Sequence, residues 1–140
     1  MDERISPLTG RTLKRDVRPL ELRYKESSVR IDMPGWYGED DEDALHSGED
    51  MKVSDRALCR LKARAEGLLQ AEDIRRIRKK LGLTQKRASE IIGGGANAFQ
   101  KYEAGDILVS RAMSNLLLLL DRQPDLLKVI EETGGEASAA

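Results

Sequence analysis

Three consecutive glycines, Gly93 to Gly95, interrupt an otherwise helix-periodic stretch, 74-IRRIRKKLGLTQKRASEIIGGGANAFQKYEAG-105, and this break limits what the second half of the chain can become. Before it, Ile74, Ile77 and Leu81 recur at helical spacing, with Arg75, Arg76, Arg78, Lys79 and Lys80 around the stripe they form. Gly82 ends that helix, and Thr84 is placed to cap a second one from Gln85 to Ile92, whose inward residues are Ala88, Ile91 and Ile92. The glycines then allow a tight turn in left-handed backbone without a Cβ clash. A third helix is predicted from about Ala96 to Ala104, with Phe99 and Tyr102 as its apolar side and Gly105 closing it. Helix, short glycine turn and helix is the geometry that sets a reading helix in a DNA major groove.

Beyond Gly105, 110-SRAMSNLLLLLDRQPDLLKVIEE-132 predicts two further helices, the first capped by Ser110 and the second carrying Pro124 in its first turn. The second half is therefore expected to be an all-α, five-helix domain over 71–133, followed by a disordered tail at 134–140. Five leucines in a row, Leu116 to Leu120, wrap more than one helix face. A second copy of the chain is the expected cover, with Leu117, Leu120, Leu127 and Ile130 in a homodimer interface. The alternative is that the last helix, through Leu126, Leu127, Val129 and Ile130, covers the surplus face itself.

The first half has a different period. LELRY (20–24) and SVRID (28–32) alternate apolar and polar residues, which predicts antiparallel strands with a hairpin around Glu26 to Ser28 and a turn at Pro34-Gly35. From Val53 the period becomes helical, with Ser54 as the expected N-cap and a linking helix over 54–70. A small α+β N-terminal domain is thus expected over 1–53. The acidic stretch 37-YGEDDEDALHSGED-50 reads as a solvated loop holding the chain's single histidine, His46.

Composition narrows the function. One cysteine, Cys59, excludes an intramolecular disulfide and a thiolate metal site, and with one histidine no nucleophile–base constellation exists, so no enzyme is expected. No apolar signal segment stands at the N-terminus, and the five leucines fall far short of the roughly 20 residues of a membrane span, so the expected setting is cytoplasmic, without membrane. The formal charge of −1 is unevenly spread: −4 over 1–54, +2 over 55–71, +5 over 72–101 and −4 over 102–140. A basic centre between acidic ends fits an anionic partner, double-stranded DNA foremost, although a solvated helix face would carry the same pattern. On the DNA reading, Asn97, Gln100 and Lys101 of the third helix meet base edges, while Thr84, Gln85, Lys86, Arg87 and Gly95 meet the phosphate backbone. Asn97 could instead serve as a helix cap, and Gln85 as a plain surface residue.

The LTQKxxxxxxG frame, the spacing to the third helix and its terminal YEAG resemble the helix-turn-helix domains of the Xre or Cro/C1-like superfamily. Over the whole chain, SPLTG, MPGWY, HSGEDMKVSDRALCRLKAR and GGGANAF resemble the MqsA-type (YgiT-type) antitoxins of toxin–antitoxin pairs. Members of that family usually begin CPxCG and later carry YCxxC, four thiolates holding one structural zinc. Here Ser6, Thr9, Gly38 and Asp41 stand at those positions, so the resemblance implies a zinc-knuckle-like frame with no metal and no cofactor. It also implies a function. The N-terminal domain would neutralise a cognate RNA-cleaving toxin, whose expected basic charge suits the −4 balance of 1–54, and the C-terminal dimer would repress its own operon. The alternative is a stand-alone helix-turn-helix regulator with no toxin partner.

Overall fold

The computed structural model describes residues 2–40 and 43–139, and of 134–139 the backbone alone. The chain divides into two compact units, Met1–Leu61 and Lys62–Ala140. Together they make an α+β protein: antiparallel strands first, helices after.

In the first unit, β1 (Glu3–Ile5), β2 (Thr12–Tyr24), β3 (Ser27–Tyr37) and β4 (Ala44–Leu45) form one antiparallel sheet in sequence order. The two alternating segments lie inside β2 and β3 and pair with each other, Leu20 opposite Ile31 and Leu22 opposite Val29. The hairpin turns at Lys25-Glu26, between the strand ends Tyr24 and Ser27, with Lys25 in left-handed backbone (φ 53°). Pro34-Gly35 is not a turn; both residues belong to β3. Pro34 precedes the short stretch that β4 covers, Trp36 opposite Leu45 and Tyr37 opposite Ala44, so it sits on an open strand edge where a missing N–H is tolerated. Gly35 is needed because a Cβ there would lie 2.6 Å from His46 Nδ1 and 2.8 Å from the Leu45 carbonyl oxygen.

Leu13, Met33, Trp36 and Tyr37 are the buried apolar residues of this sheet. Aromatic faces are closed by cations: Arg4 and Arg15 stand 4.9 and 4.6 Å from the Trp36 ring centroid, and Arg18 stands 4.7 Å from that of Tyr37. The Tyr37 hydroxyl donates to the Met33 carbonyl at 2.7 Å.

Helix α1 (Gly48–Glu66) starts earlier than expected. Its cap is Ser47, not Ser54. The Ser47 hydroxyl accepts from the Asp50 amide at 3.1 Å, and the Asp50 carboxylate accepts from the Ser47 amide at 2.9 Å, the reciprocal pair that 47-SGED-50 encodes. Ser54 lies within the helix and donates to the Met51 carbonyl.

The second unit holds α2 (Ala71–Lys80), α3 (Gln85–Ile91), α4 (Ala98–Ala104), α5 (Arg111–Arg122), a 3-10 turn (Pro124–Leu126) and α6 (Leu127–Ala139). Its core gathers Ile74, Ile77, Ala88, Ala98, Phe99, Tyr102, Val109, Met113 and Leu117. Helix α4 begins at Ala98 rather than Ala96, because Gly93, Gly94, Gly95 and Asn97 all adopt positive φ (113°, 98°, 97° and 63°). Helix α6 runs through the segment expected to be a disordered tail. It runs past Gly134 and Gly135, each of which costs roughly 1 kcal/mol in a helix relative to alanine.

Gly35→Ala forces its Cβ into the His46 ring and the β4 backbone. It is expected to destabilise the first unit by about 1–3 kcal/mol, read from the unfolding curve of the single tryptophan, Trp36.

Candidate functional site

The turn before α4 and the helix itself set the geometry of the outer face. A Cβ on Gly94 would meet Tyr102 Oη at 2.9 Å and Ala98 Cβ at 3.0 Å, so the turn packs closely against α4. The Ser89 hydroxyl donates to the Gln85 carbonyl at 3.1 Å and accepts the Phe99 amide at 3.3 Å, tying α3 to the first turn of α4. With Phe99 and Tyr102 buried, Asn97, Gln100 and Lys101 share the opposite, exposed face at i, i+3 and i+4. Asn97 takes the N-cap position in left-handed backbone, yet its side chain makes no capping hydrogen bond.

Beneath that face lies a buried carboxylate. Glu103 on α4 accepts from Arg78 at 2.7 and 2.9 Å and from Arg75 at 3.3 Å, and its side chain is 1% exposed. Arg78 also donates to the Leu83 carbonyl at 2.9 Å. Burial alone would raise the Glu103 carboxyl; hydrogen bonds from Arg78, Gln85 and Arg75 hold it below its ordinary value instead. A second carboxylate, Asp121 on α5, receives Arg76 at 3.0 and 3.1 Å and Lys80 at 3.1 Å, which lower its pKa to about 2.

These pairs change the meaning of the basic segment. Arg75, Arg76, Arg78 and Lys80 of α2 serve internal bracing, and Arg87 pairs with Glu90 at 3.3 Å on the surface. Lys79, Lys86 and Lys101 have no ion pair among the described residues. Thr84 caps α3 by accepting the Arg87 amide at 3.1 Å, and Lys86, Arg87 and Gly95 are exposed. Gln85, expected against a phosphate, is half-buried and its side chain is hydrogen-bonded to Glu103.

The residues expected at a dimer interface need correcting. Leu117 and Leu120 are fully buried within the unit, Leu127 is nearly so, and Ile130 is half-buried. Among the described residues, the large exposed apolar side chains of α5, the 3-10 turn and α6 are Leu118, Leu119, Leu126 and Val129. Helical rotation explains the error, since positions 117, 120 and 113 share the core-facing stripe while 118 and 119 turn away from it.

In the first unit, Ser6 and Thr9 occupy the loop between β1 and β2, and Gly38 the loop after β3; Asp41 lies outside the described residues. Two hydroxyls and a glycine do not fit a tetrahedral zinc site, whose ligands are thiolate, imidazole or carboxylate. A Cβ on Gly38 would also meet Leu13 Cδ2 at 3.2 Å, so the space toward it is taken up by the core. Among the described residues, no three His, Cys, Asp or Glu side chains converge as a metal site would require. His46 is a packing residue: its Nδ1 lies 2.9 Å from the Pro34 carbonyl and its ring meets the edge of Tyr37. The sequence reading missed the bidentate pair between Arg15 and Asp50, at 2.8 and 2.5 Å, with the Asp50 side chain 3% exposed. The only signal for it was the capping pattern around Asp50.

Residues 6–131 match the family model described as the antitoxin component of bacterial toxin–antitoxin system, MqsA. Antitoxin MqsA of Escherichia coli (strain K12) is 52% identical over 59 residues, 42% of this chain. The match spans 45% of the length of that relative. No helix among the described residues is long and apolar enough to cross a membrane.

Folding lowers the pKa of both Asp121 and Glu103, so each stabilises the second unit above its unfolded value and ceases to do so as pH falls through its folded one. The helical signal of the chain should therefore keep a constant melting temperature near neutrality and lose it on acidification from about pH 4 toward 2. Asp121→Asn is expected to lower the neutral-pH melting temperature and to reduce the acid-dependent loss, both measured by circular dichroism.

Proposed function

Because the chain belongs to the MqsA antitoxin family, we propose that it is the DNA-binding antitoxin of a toxin–antitoxin pair and the repressor of its own operon. The observation that carries the DNA half of this reading is the outer face of α4, where Asn97, Gln100 and Lys101 stand exposed on a helix held from below by Glu103. In this reading α3, the glycine turn and α4 form a helix-turn-helix, with α4 in the major groove. Asn97, whose side chain is not used as a cap, pairs with adenine N6 and N7; Gln100 offers the same chemistry, and Lys101 reaches guanine O6 or N7. Thr84 and Gly95 bring backbone close to the phosphates, and Lys86 and Arg87 add charge. Gln85 acts indirectly, by fixing Glu103.

A two-fold homodimer would use Leu118, Leu119, Leu126 and Val129 with the half-buried Ile130, and would set two α4 helices about 34 Å apart on successive grooves. The first unit, at −4 over residues 1–54, would hold the toxin, for which a basic ribonuclease is the electrostatic fit. No catalytic role is assigned to any residue, and the cytoplasm, where operator DNA resides, is the compartment this function requires.

Asn97→Ala should weaken operator binding by about 1–3 kcal/mol and flatten the preference over random DNA. An equal loss on both DNAs would reduce Asn97 to a turn residue. The antitoxin half is checked by co-expressing the chain with the product of the neighbouring reading frame and purifying through a tag on one partner. Co-purification with rescue of growth is expected; neither one occurring would leave a stand-alone regulator.

A further inference from the structure

The loops that carry cysteines in the zinc-binding members of the family are joined here by a different device. The Ser6 hydroxyl donates to Asp43 Oδ1 at 2.5 Å, and the Thr9 hydroxyl donates to Asp43 Oδ2 at 2.8 Å. Ser6 is 2% exposed, and its oxygen also accepts the amides of Leu8 and Thr9, both at 3.2 Å. Thr9 Oγ1 accepts the Arg11 amide at 3.2 Å in the same way. The Ser6 hydroxyl thus uses its donor and both acceptor sites, and the Thr9 hydroxyl its donor and one acceptor site. The 6–11 turn is closed on itself by backbone bonds from Ser6 N to Arg11 O (2.8 Å) and from Gly10 N to Ser6 O (2.9 Å). On the other side, the Asp43 carbonyl accepts the Gly38 amide and the Asp43 amide donates to the Asp40 carbonyl, both at 3.1 Å. One residue, Asp43, thus holds the β1–β2 loop with its side chain and the β3–β4 loop with its backbone.

We propose that this Ser6–Thr9–Asp43 latch replaces the structural metal, so that the N-terminal unit of this chain folds and stays folded without any metal ion. Charge-assisted hydrogen bonds from two hydroxyls to one carboxylate are short and directional, and they bridge residues 34 and 37 positions apart in sequence. Hydrogen bonding from Ser6 and then Thr9 keeps the Asp43 carboxyl below its ordinary value, which favours the ionised acceptor. The consequence is regulatory. A four-thiolate site opens to chelators and to thiol oxidants, whereas a carboxylate with two hydroxyls has no atom that either agent attacks. The latch itself is then independent of metal supply and of thiol redox poise.

Trp36, the single tryptophan, lies in the first unit, so its fluorescence reports that unit alone in the full chain. The purified protein should contain no stoichiometric zinc, and excess EDTA should leave the Trp36 melting midpoint unchanged. Asp43→Ala should lower that midpoint by roughly 4–8 °C, and Ser6→Ala by a similar amount. The double variant should fall by less than the sum of the two single losses, because both remove the Ser6–Asp43 bond. Thr9→Ala, which removes one of two hydroxyl donors at an exposed position, should give a smaller loss and serves where the buried variants do not fold. Zinc bound one to one, a midpoint lowered by EDTA, or Asp43→Ala and Thr9→Ala melting like the parent would each overturn the proposal. The assay contains neither DNA nor toxin, so its failure is distinct from failure of the antitoxin reading.

Discussion

One buried carboxylate orders the second unit. Glu103 stands on α4, yet its partners come from α2, through Arg75 and Arg78, and from the first residue of α3, Gln85. A carboxylate with 1% exposure is costly unless every oxygen is bonded. Three helices are therefore held in the one arrangement that satisfies it. Phe99 and Tyr102 supply the apolar grip of α4 and decide which of its faces turns inward. The Glu103 anchor adds directional bonds to that packing. Together they leave Asn97, Gln100 and Lys101 exposed on one face.

The same interaction explains what the sequence concealed. The helices of the second half were legible because Thr84, Ser110, Gly82 and Gly105 punctuate them and the apolar residues recur at helical spacing. The function of the cations was not legible. Five positive charges packed into 75–80 look like a footprint for an anion, but Arg75, Arg76, Arg78 and Lys80 answer to acids at 103 and 121. Pairing across 25 to 45 residues has no local signature. The helical period likewise indicated that the leucine run faces two ways without showing which leucines face inward. Leu117 and Leu120 take the core, and Leu118 and Leu119 take the outside.

In the first unit, strand alternation found the paired segments and missed the strand ends. Thr12 to Val17 of β2 is charged at three consecutive positions, Lys14 to Asp16, and Pro34-Gly35 of β3 carries a turn signal, yet both extend the hairpin. What holds them is not strand propensity. Arg15 and Arg18 lie over Trp36 and Tyr37, and Arg15 continues into a bidentate pair with Asp50 at the head of α1. That pair, reinforced by the Ser47 hydrogen bonds, keeps the Asp50 carboxyl far below its ordinary range. The capping pattern at Ser47 marks the helix start, which the expectation of Ser54 as cap had missed, while the strand partner, Arg15, was invisible until the fold placed it.

Four acids, Asp43, Asp50, Glu103 and Asp121, share one physical role. Each stands at a helix or loop that local sequence alone would leave loosely placed, and each collects hydroxyl or guanidinium donors distant in sequence. A chain with 4% aromatic residues has little large apolar surface with which to fix the angles between short elements. Directional bonds to ionised carboxylates add angular definition to the packing, since they weaken when the geometry is wrong. The acidic stretch 37–50, which in sequence looks like solvent-facing excess, contains two of these four hubs. Its charge density therefore reflects internal architecture at Asp43 and Asp50, and only the remaining acids of the stretch are left to shape the field that a basic partner would meet.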